Sequence, residues 1–300
     1  MPADTYEVVI LGTGPAGLQA AIHAARAKVS VLVLGRGAKS SVFRAHVENY
    51  CCLSQVAGQD LLEEGRNQAL ASGAEFLEED VVETSGQDGW YAVKVESGRE
   101  IKCRALILAM GISRNKLGVP GEKEFLGKGV SYCVDCDAGF YKGETVAVAG
   151  CESAAVSGAL TLLFYASEVH LICPGLAVSQ TLAGTLRQSA INLHEGRKVS
   201  EIRGGNQVEE LVLDDGAILP VAGIFIEQGA KGAFELAATL GIALDPEKFQ
   251  YVLADKKQAT NLDGVFAAGD ICGPPWQVAK AVGEGCVAGL QAAGYAKKLR

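Results

Sequence analysis

The chain has 300 residues, of which 49% are hydrophobic, 21% are charged and 37 are glycine, a composition that fits two modest α/β domains and excludes a disordered chain. The formal net charge is -8, with no Lys/Arg cluster and no basic aromatic stripe, so no nucleic-acid partner is expected. Every long apolar run is broken by glycines, acids or turn signals. The start, MPADTYEVVILGTG, has neither a basic n-region nor a cleavage site, so the expectation is a cytoplasmic protein with no membrane partner.

Residues 6–11, YEVVIL, read as a short apolar strand closed by GTGPAG. A helical pattern, LQAAIHAARAKV, follows, and then a second strand, SVLVL, at 30–34. A strand–turn–helix–strand unit of this kind holds a dinucleotide. Gly12 makes the turn, Gly14 lets the backbone approach a pyrophosphate, and Gly17 lets helix lie close to strand, with Pro15 and Ala16 completing the motif. The acid expected at the end of the second strand, to hold ribose hydroxyls, is missing. Gly35 and Arg36 stand there, and Arg36 packing on the adenine is the expected substitute.

Strand-like segments at 90–96 and 104–109 lead into AMG, where the chain meets Gly111, and ISRNKLGVPG (112–121) reads as a crossover between domains. A second strand–turn–helix–strand runs through TVAVAG (145–150), CESAAVSGALTLLFYAS and EVHLIC (168–173). Near the end come a strand at 265–268, Gly269 and Asp270, a proline-rich corner and a long helix of small residues. The expected fold class is α/β, with two Rossmann-like, three-layer nucleotide-binding domains, the second inserted in the first. The boundaries read as 1–115 plus 245–300 for the first domain and 116–244 for the second.

The nine cysteines are odd in number and scattered, in a chain too large to need disulfide staples. They point to a reducing compartment, most as buried thiols and one pair set apart for chemistry. That pair is Cys133 and Cys136, separated by Val134 and Asp135. Two intervening residues let the thiols close into a disulfide across one turn and resolve an incoming one. Zinc would need two further ligands, and Cys151 and His170 are too loosely placed, so no metal is expected. An inert pair of core cysteines is the bland alternative. Asp137 is the obvious proton shuttle, and Asp135 opposes thiolate formation by like charge.

In GTGPAG, GVSYCVDCDAGFY, GVFAAGD (264–270) and WQVAKAVGEG (276–285), the chain resembles the low-molecular-weight thioredoxin reductases over nearly its whole length. The resemblance implies FAD on the first domain, its pyrophosphate at the first glycine turn and at Asp270, after Gly269. The isoalloxazine would lie against backbone at Gln277 and Val278, with Asn49 and Gly111 carried over as further flavin contacts. It also implies a homodimer whose second domain rotates, presenting either nicotinamide or the cysteine pair to the flavin. Cys136 would face the flavin, Cys133 would exchange with a thioredoxin-like or other dithiol/disulfide protein, and Asp137 would be the acid/base.

The departures from that family are specific. Its second turn is Gly-x-Gly-x-x-Ala, whereas this chain has Gly150-Cys151-Glu152-Ser153-Ala154-Ala155. A carboxylate replaces the glycine that admits a pyrophosphate, so Gly150, Glu152, Ser153 and Ala154 mark a second nucleotide site expected to be closed. The family's His-Arg-Arg after the next strand is here Cys173-Pro174-Gly175, without a positive charge. NADPH is therefore not the expected cofactor. Upstream of Val47-Glu48-Asn49, Phe43, Arg44 and His46 replace the usual Gly-Gly-Gln. Cys51 and Cys52 would be a second redox station if they close into a strained vicinal disulfide, but two core thiols are the expectation. Trp276 replaces an arginine, either stacking near the flavin or capping the last helix.

The expected function is an FAD-dependent thiol–disulfide oxidoreductase that does not use NADPH. One FAD per chain is expected, and a second in the degenerate domain, as in diflavin-linked relatives, stays open. The alternatives are a ferredoxin-dependent thioredoxin reductase, an oxygen-using dithiol oxidase, an NADPH-dependent enzyme with an atypical site, and a non-enzymatic flavin-binding interaction module.

Overall fold

A computed structural model describes residues 4–87, 89–112, 116–228, 233–246 and 251–300, with the side chains of 87, 135, 136 and 233–235 outside the description. The chain forms two compact units. One comprises Met1–Val95, Arg99–Ser113 and Leu236–Arg300; the other comprises Glu96–Gly98 and Arg114–Glu235. The 112–121 crossover includes 113–115, which lie outside the described residues.

The first unit is built on a seven-stranded sheet. Strands Glu75–Leu77, Val31–Leu34, Asp4–Leu11, Glu100–Leu108 and Val265–Ala267 run parallel, and Trp90–Val95 and Val81–Gln87 extend the sheet antiparallel. Residues Val8 to Leu11 are fully buried. Both faces of a covered parallel sheet are dry, which is why YEVVIL reads as a continuous apolar run rather than an alternating one.

Helices Pro15–Arg26 and Val278–Lys298 cross one face of this sheet. Their buried faces are mostly alanine, with Ala20, Ala21 and Ala24 meeting Ala288, Ala292 and Ala293 in one core cluster. Small residues let the two backbones come unusually close. A Cβ at Gly285 would stand 2.2 Å from the Ala16 carbonyl oxygen, and one at Gly289 would stand 2.4 Å from that of Ala20. The returning chain is tied in by the buried Thr84 hydroxyl, which donates to the Leu236 carbonyl at 3.2 Å.

The second unit has a five-stranded parallel sheet in the order Asn192–Glu195, Glu168–Cys173, Thr145–Ala149, Gly223–Ile226, Val130–Ser131. Alternate residues point to opposite faces. Val146, Val148 and Leu171 pack with helices Ser153–Leu162 and Gln180–Gln188. Ala147, Ala149 and Ile172 pack with Ile202, Leu211 and Leu213. Those last three belong to an antiparallel sheet, Val199–Gly204, Val208–Leu213 and Ile218–Pro220, that the sequence reading did not include.

The α/β class with two Rossmann-like units is therefore present, and several sequence expectations need correction. The helix after the second glycine turn stops at Leu162, leaving Phe164 87% exposed, because the following turn redirects the chain into strand Glu168–Cys173. The cysteines are not mostly buried. Among the free ones, Cys103 and Cys173 are buried, Cys151, Cys272 and Cys286 are intermediate, and Cys51 and Cys52 are exposed. Two core thiols at 51–52 are thus excluded, since a turn carries them to the surface.

Candidate functional site: a glycine cradle and a cysteine helix

In the first unit, strand Asp4–Leu11 ends at Gly12, whose φ of +116° lies where side chains are rarely tolerated. A Cβ here would stand 2.3 Å from the Ala109 carbonyl oxygen. A Cβ on Gly17 would lie 1.9 Å from the Gly12 carbonyl oxygen, so helix and turn touch backbone to backbone. Gly14 differs. It is the N-cap of helix Pro15–Arg26, and a Cβ on it would meet only the Ser40 hydroxyl, at 3.4 Å.

No side chain caps this helix and no acid lies in its first turn. Pro15, which has no N–H to satisfy, stands at its first position, and Ala16 is buried against the last helix. A positive helix end with no capping side chain and no acid in its first turn suits a pyrophosphate.

Beside this cradle, Gly269 leads into the 3₁₀ turn Asp270–Cys272. The turn is braced by the last helix. The Gly269 N–H donates to Glu284 Oε2 at 2.8 Å, and Lys280 Nζ donates to the Gly269 and Gly273 carbonyls at 2.9 and 2.7 Å. Lys280 and Glu284 also pair at 3.1 Å. Asp270 is half-buried, and burial raises its carboxyl above the ordinary value; Lys280 opposes that shift and Glu284 adds to it.

A carboxyl raised on folding removes stability as pH climbs from the ordinary carboxylate range through its folded value. Asp270→Asn is therefore expected to raise the melting temperature of flavin-free protein at neutral pH. The gain disappears when pH is lowered below the ordinary range, and a gain that is flat with pH would contradict this.

Asn49 Nδ2 donates to Gln277 Oε1 at 2.8 Å, joining the 46–49 segment to the N-cap of the last helix, just before Val278. That cap is Gln277, so Trp276, 55% exposed, does not cap the helix. Arg36 Nη1 and Lys39 Nζ hold Asp80 at 2.7 and 2.8 Å. Asp80 is buried, and the two cations offset the cost of that burial. Gly111 follows strand Glu100–Leu108 with a φ of +70° and open space where a Cβ would lie.

The second unit carries the cysteines. Strand Val130–Ser131 feeds the short helix Val134–Asp137, and Cys133, at its entrance, is disulfide-bonded. The side chains of Asp135 and Cys136 lie outside the described residues. Ser131 Oγ accepts the Cys133 N–H at 3.0 Å and donates to Asp137 Oδ2 at 2.7 Å, which fixes the carboxylate against the cysteine turn. Glu227, buried at the end of strand Gly223–Ile226, accepts the Val134 N–H at 3.1 Å through Oε1. Its carboxylate thus anchors the start of the cysteine helix.

The second glycine turn follows strand Thr145–Ala149. A Cβ on Gly150 would fall 1.9 Å from the Glu227 carbonyl oxygen. Glu152 is the N-cap of helix Ser153–Leu162, with Ser153 and Ala154 buried behind it. Glu152 therefore holds the N-cap position that Gly14 holds in the first unit. The segment after Cys173-Pro174-Gly175 folds back so that the Ala177 N–H donates to the Cys151 carbonyl at 2.7 Å.

The profile of the pyridine nucleotide-disulphide oxidoreductases matches residues 6–285. The chain belongs to that family. It is 34% identical to the thioredoxin reductase of Listeria innocua over 308 aligned positions, covering 98% of this chain and 95% of the relative. Among solved structures it is similar to the atypical thioredoxin reductase TRi from Desulfovibrio vulgaris Hildenborough, with a TM-score of 0.83, 36% identity, and 97% and 98% of the two chains covered. A ferredoxin-flavin thioredoxin reductase from Clostridium acetobutylicum aligns with a TM-score of 0.67 and 30% identity, covering 99% of each chain. This family member is a flavin-dependent disulfide oxidoreductase of thioredoxin reductase type.

Sequence reasoning missed Ser131, Glu227, Asp80, Lys280 and Glu284. Lys280 and Glu284 carried a usable signal, their spacing of four on a predicted helix. Glu227 carried a weaker one, an acid directly after the apolar run GIFI. Asp80 closes an EED run that reads as solvated surface, and Ser131 gives no signal at all. Among the described residues, no group of three or more His, Cys, Asp or Glu is placed to hold a metal, and no helix is long and apolar enough to cross a membrane.

Proposed function

We propose that this enzyme moves electrons between a dithiol/disulfide protein and one FAD per chain, without NADPH as donor. The flavin supplies two-electron chemistry when bound. In this reading the first unit is the FAD-binding domain. Gly12, Gly14 and the N-terminus of helix Pro15–Arg26 would hold the pyrophosphate together with Asp270, and Gln277 and Val278 would present backbone to the ring. The second unit carries the exchange chemistry. Cys133 attacks or receives the partner disulfide, Cys136 is its resolving partner, and Asp137, held by Ser131, carries the proton. A homodimer in the cytoplasm is part of the same reading.

The observation that carries the NADPH argument is Glu152 at the helix end of the second turn. A carboxylate about 4 Å from a phosphate charge costs about 1 kcal/mol in water and about 4 kcal/mol at the effective dielectric of a protein surface. No cation in Cys173-Pro174-Gly175 offsets it. The same repulsion disfavours any dinucleotide, so it argues against a second FAD as much as against NADPH. The resemblance to a ferredoxin-flavin reductase favours a one-electron protein donor such as ferredoxin.

Flavin quantified per chain is expected at a ratio of one, and anaerobic NADPH is expected to leave the flavin absorbance unbleached while reduced ferredoxin bleaches it. Prompt bleaching by NADPH would overturn the donor assignment, and a ratio of two would overturn the closed second site.

A further inference from the structure

Tyr50 to Leu53 form a tight turn closed by the Leu53 N–H on the Tyr50 carbonyl at 3.1 Å. Cys51 and Cys52 are its two central residues. Cys52 has a φ of +72°, a conformation that turns of this kind normally give to glycine. Both cysteines are exposed, and their sulfurs stand 3.5 Å apart. Lys28, Gln55 and Gln258 share a positive φ, and of these four residues Cys52 is the one that carries a thiol.

Two of the other free thiols, Cys103 and Cys272, differ. Cys103 is buried and Cys272 partly buried, and burial pushes each thiol up to about 12, leaving little thiolate at neutral pH. A metal does not explain the 51–52 pair, since no third ligand is placed beside it among the described residues.

We propose that Cys51 and Cys52 form a second thiol–disulfide exchange station, one that takes a disulfide substrate directly from solvent and is independent of Cys133. One thiolate attacks an incoming disulfide, forming a mixed disulfide and expelling a substrate thiolate. The neighbouring thiolate then attacks the mixed disulfide, expels the second substrate thiolate and closes Cys51–Cys52. Two electrons pass from the cysteine pair to the substrate, and the two protons released by the pair protonate the two product thiols. Closure needs the sulfurs to approach by roughly 1.5 Å, to the usual bond length of about 2 Å, within a turn that already places them side by side. A dithiol substrate reverses the sequence.

The test uses the full chain carrying Cys133→Ser and Cys136→Ser, with bound flavin confirmed, so its outcome is separate from that of the Cys133 assignment. Reduced protein is mixed anaerobically with oxidised glutathione or with oxidised thioredoxin, quenched in acid and alkylated, and the peptide containing residues 51 and 52 is weighed. The expected peptide has lost both alkylation sites and two hydrogens, two substrate thiols appear per chain, and dithiothreitol restores both sites.

Adding Cys52→Ser is expected to stop the reaction at a stable mixed disulfide on Cys51. Cys52→Gly, which suits the turn's backbone, is expected to do the same and guards against a folding defect. Reaction with glutathione alone assigns the station to small disulfides, and reaction with thioredoxin alone assigns it to proteins. Two sites still alkylatable with both substrates would overturn the proposal, as would two separate glutathione adducts without closure.

Discussion

Cys133→Ser is expected to lower the rate at which a reduced dithiol protein bleaches the bound flavin by at least about 10³-fold, leaving flavin content unchanged. A serine hydroxyl is essentially un-ionised at neutral pH and cannot form the mixed disulfide, so both nucleophilic attack and its resolution are lost. The substitution spares the local backbone. The Cys133 N–H still donates to Ser131 Oγ at 3.0 Å, Asp137 still accepts from that hydroxyl, and Glu227 still holds Val134. The glycine cradle belongs to the other unit, so flavin retention serves as the internal control. Anaerobic stopped-flow absorbance measures the rate, and an unchanged rate would remove Cys133 from the catalytic route.

Gly17→Ala is expected to cost about 3 kcal/mol or more and to abolish flavin retention. The added methyl would stand 1.9 Å from the Gly12 carbonyl oxygen, and this atom cannot retreat, because Gly12 is itself packed against Ala109 backbone. Forcing bulk into a filled contact typically costs 1–3 kcal/mol, more where backbone must move. For a chain of 300 residues unfolding as one unit, the loss corresponds to a fall of roughly 5 °C in melting temperature.

Gly14→Ala separates packing from ligand binding. Its Cβ meets only the Ser40 hydroxyl, at 3.4 Å, and its φ of −78° suits any residue. Flavin-free stability is expected to stay within about 0.5 kcal/mol of the parent, while FAD binding weakens because the methyl occupies the space before the helix end. Calorimetry of flavin-free protein with flavin titration checks both. Equal destabilisation by the two substitutions would contradict the different roles given to Gly14 and Gly17.

Much of the first unit was legible because its signals are local. YEVVIL, GTGPAG and the alanine-rich helix each specify their conformation within a dozen residues, and strand, turn and helix follow in that order. EVHLIC spans Glu168–Cys173 in the structure as it does in the sequence reading. The antiparallel sheet of the second unit was not legible in the same way. Its strands contain surface acids and basic residues, and Ile202, Leu211 and Leu213 cover Ala147, Ala149 and Ile172 of the parallel sheet, residues that no local pattern links to them.

The cysteines divide along the same line. Spacing alone separated Cys133 and Cys136 as a reactive pair, since a two-residue gap limits what a pair of thiols can do. Whether a neighbouring pair is core or surface depends on which face of a turn points to water. The structure puts Cys51 and Cys52 outside, against the expectation from composition.

By itself the sequence determined the fold class and the family, and it set apart the Cys133–Cys136 spacing and the glutamate at 152, because each rests on residue identities at short, fixed spacings. Only the tertiary structure decided what braces those residues. Glu227 reaches Val134 across 93 positions, and the Lys280–Glu284 pair closes on the Asp270 turn. A buried hydrogen bond between distant segments depends on where the core brings the backbone, and no local pattern of residues records that position.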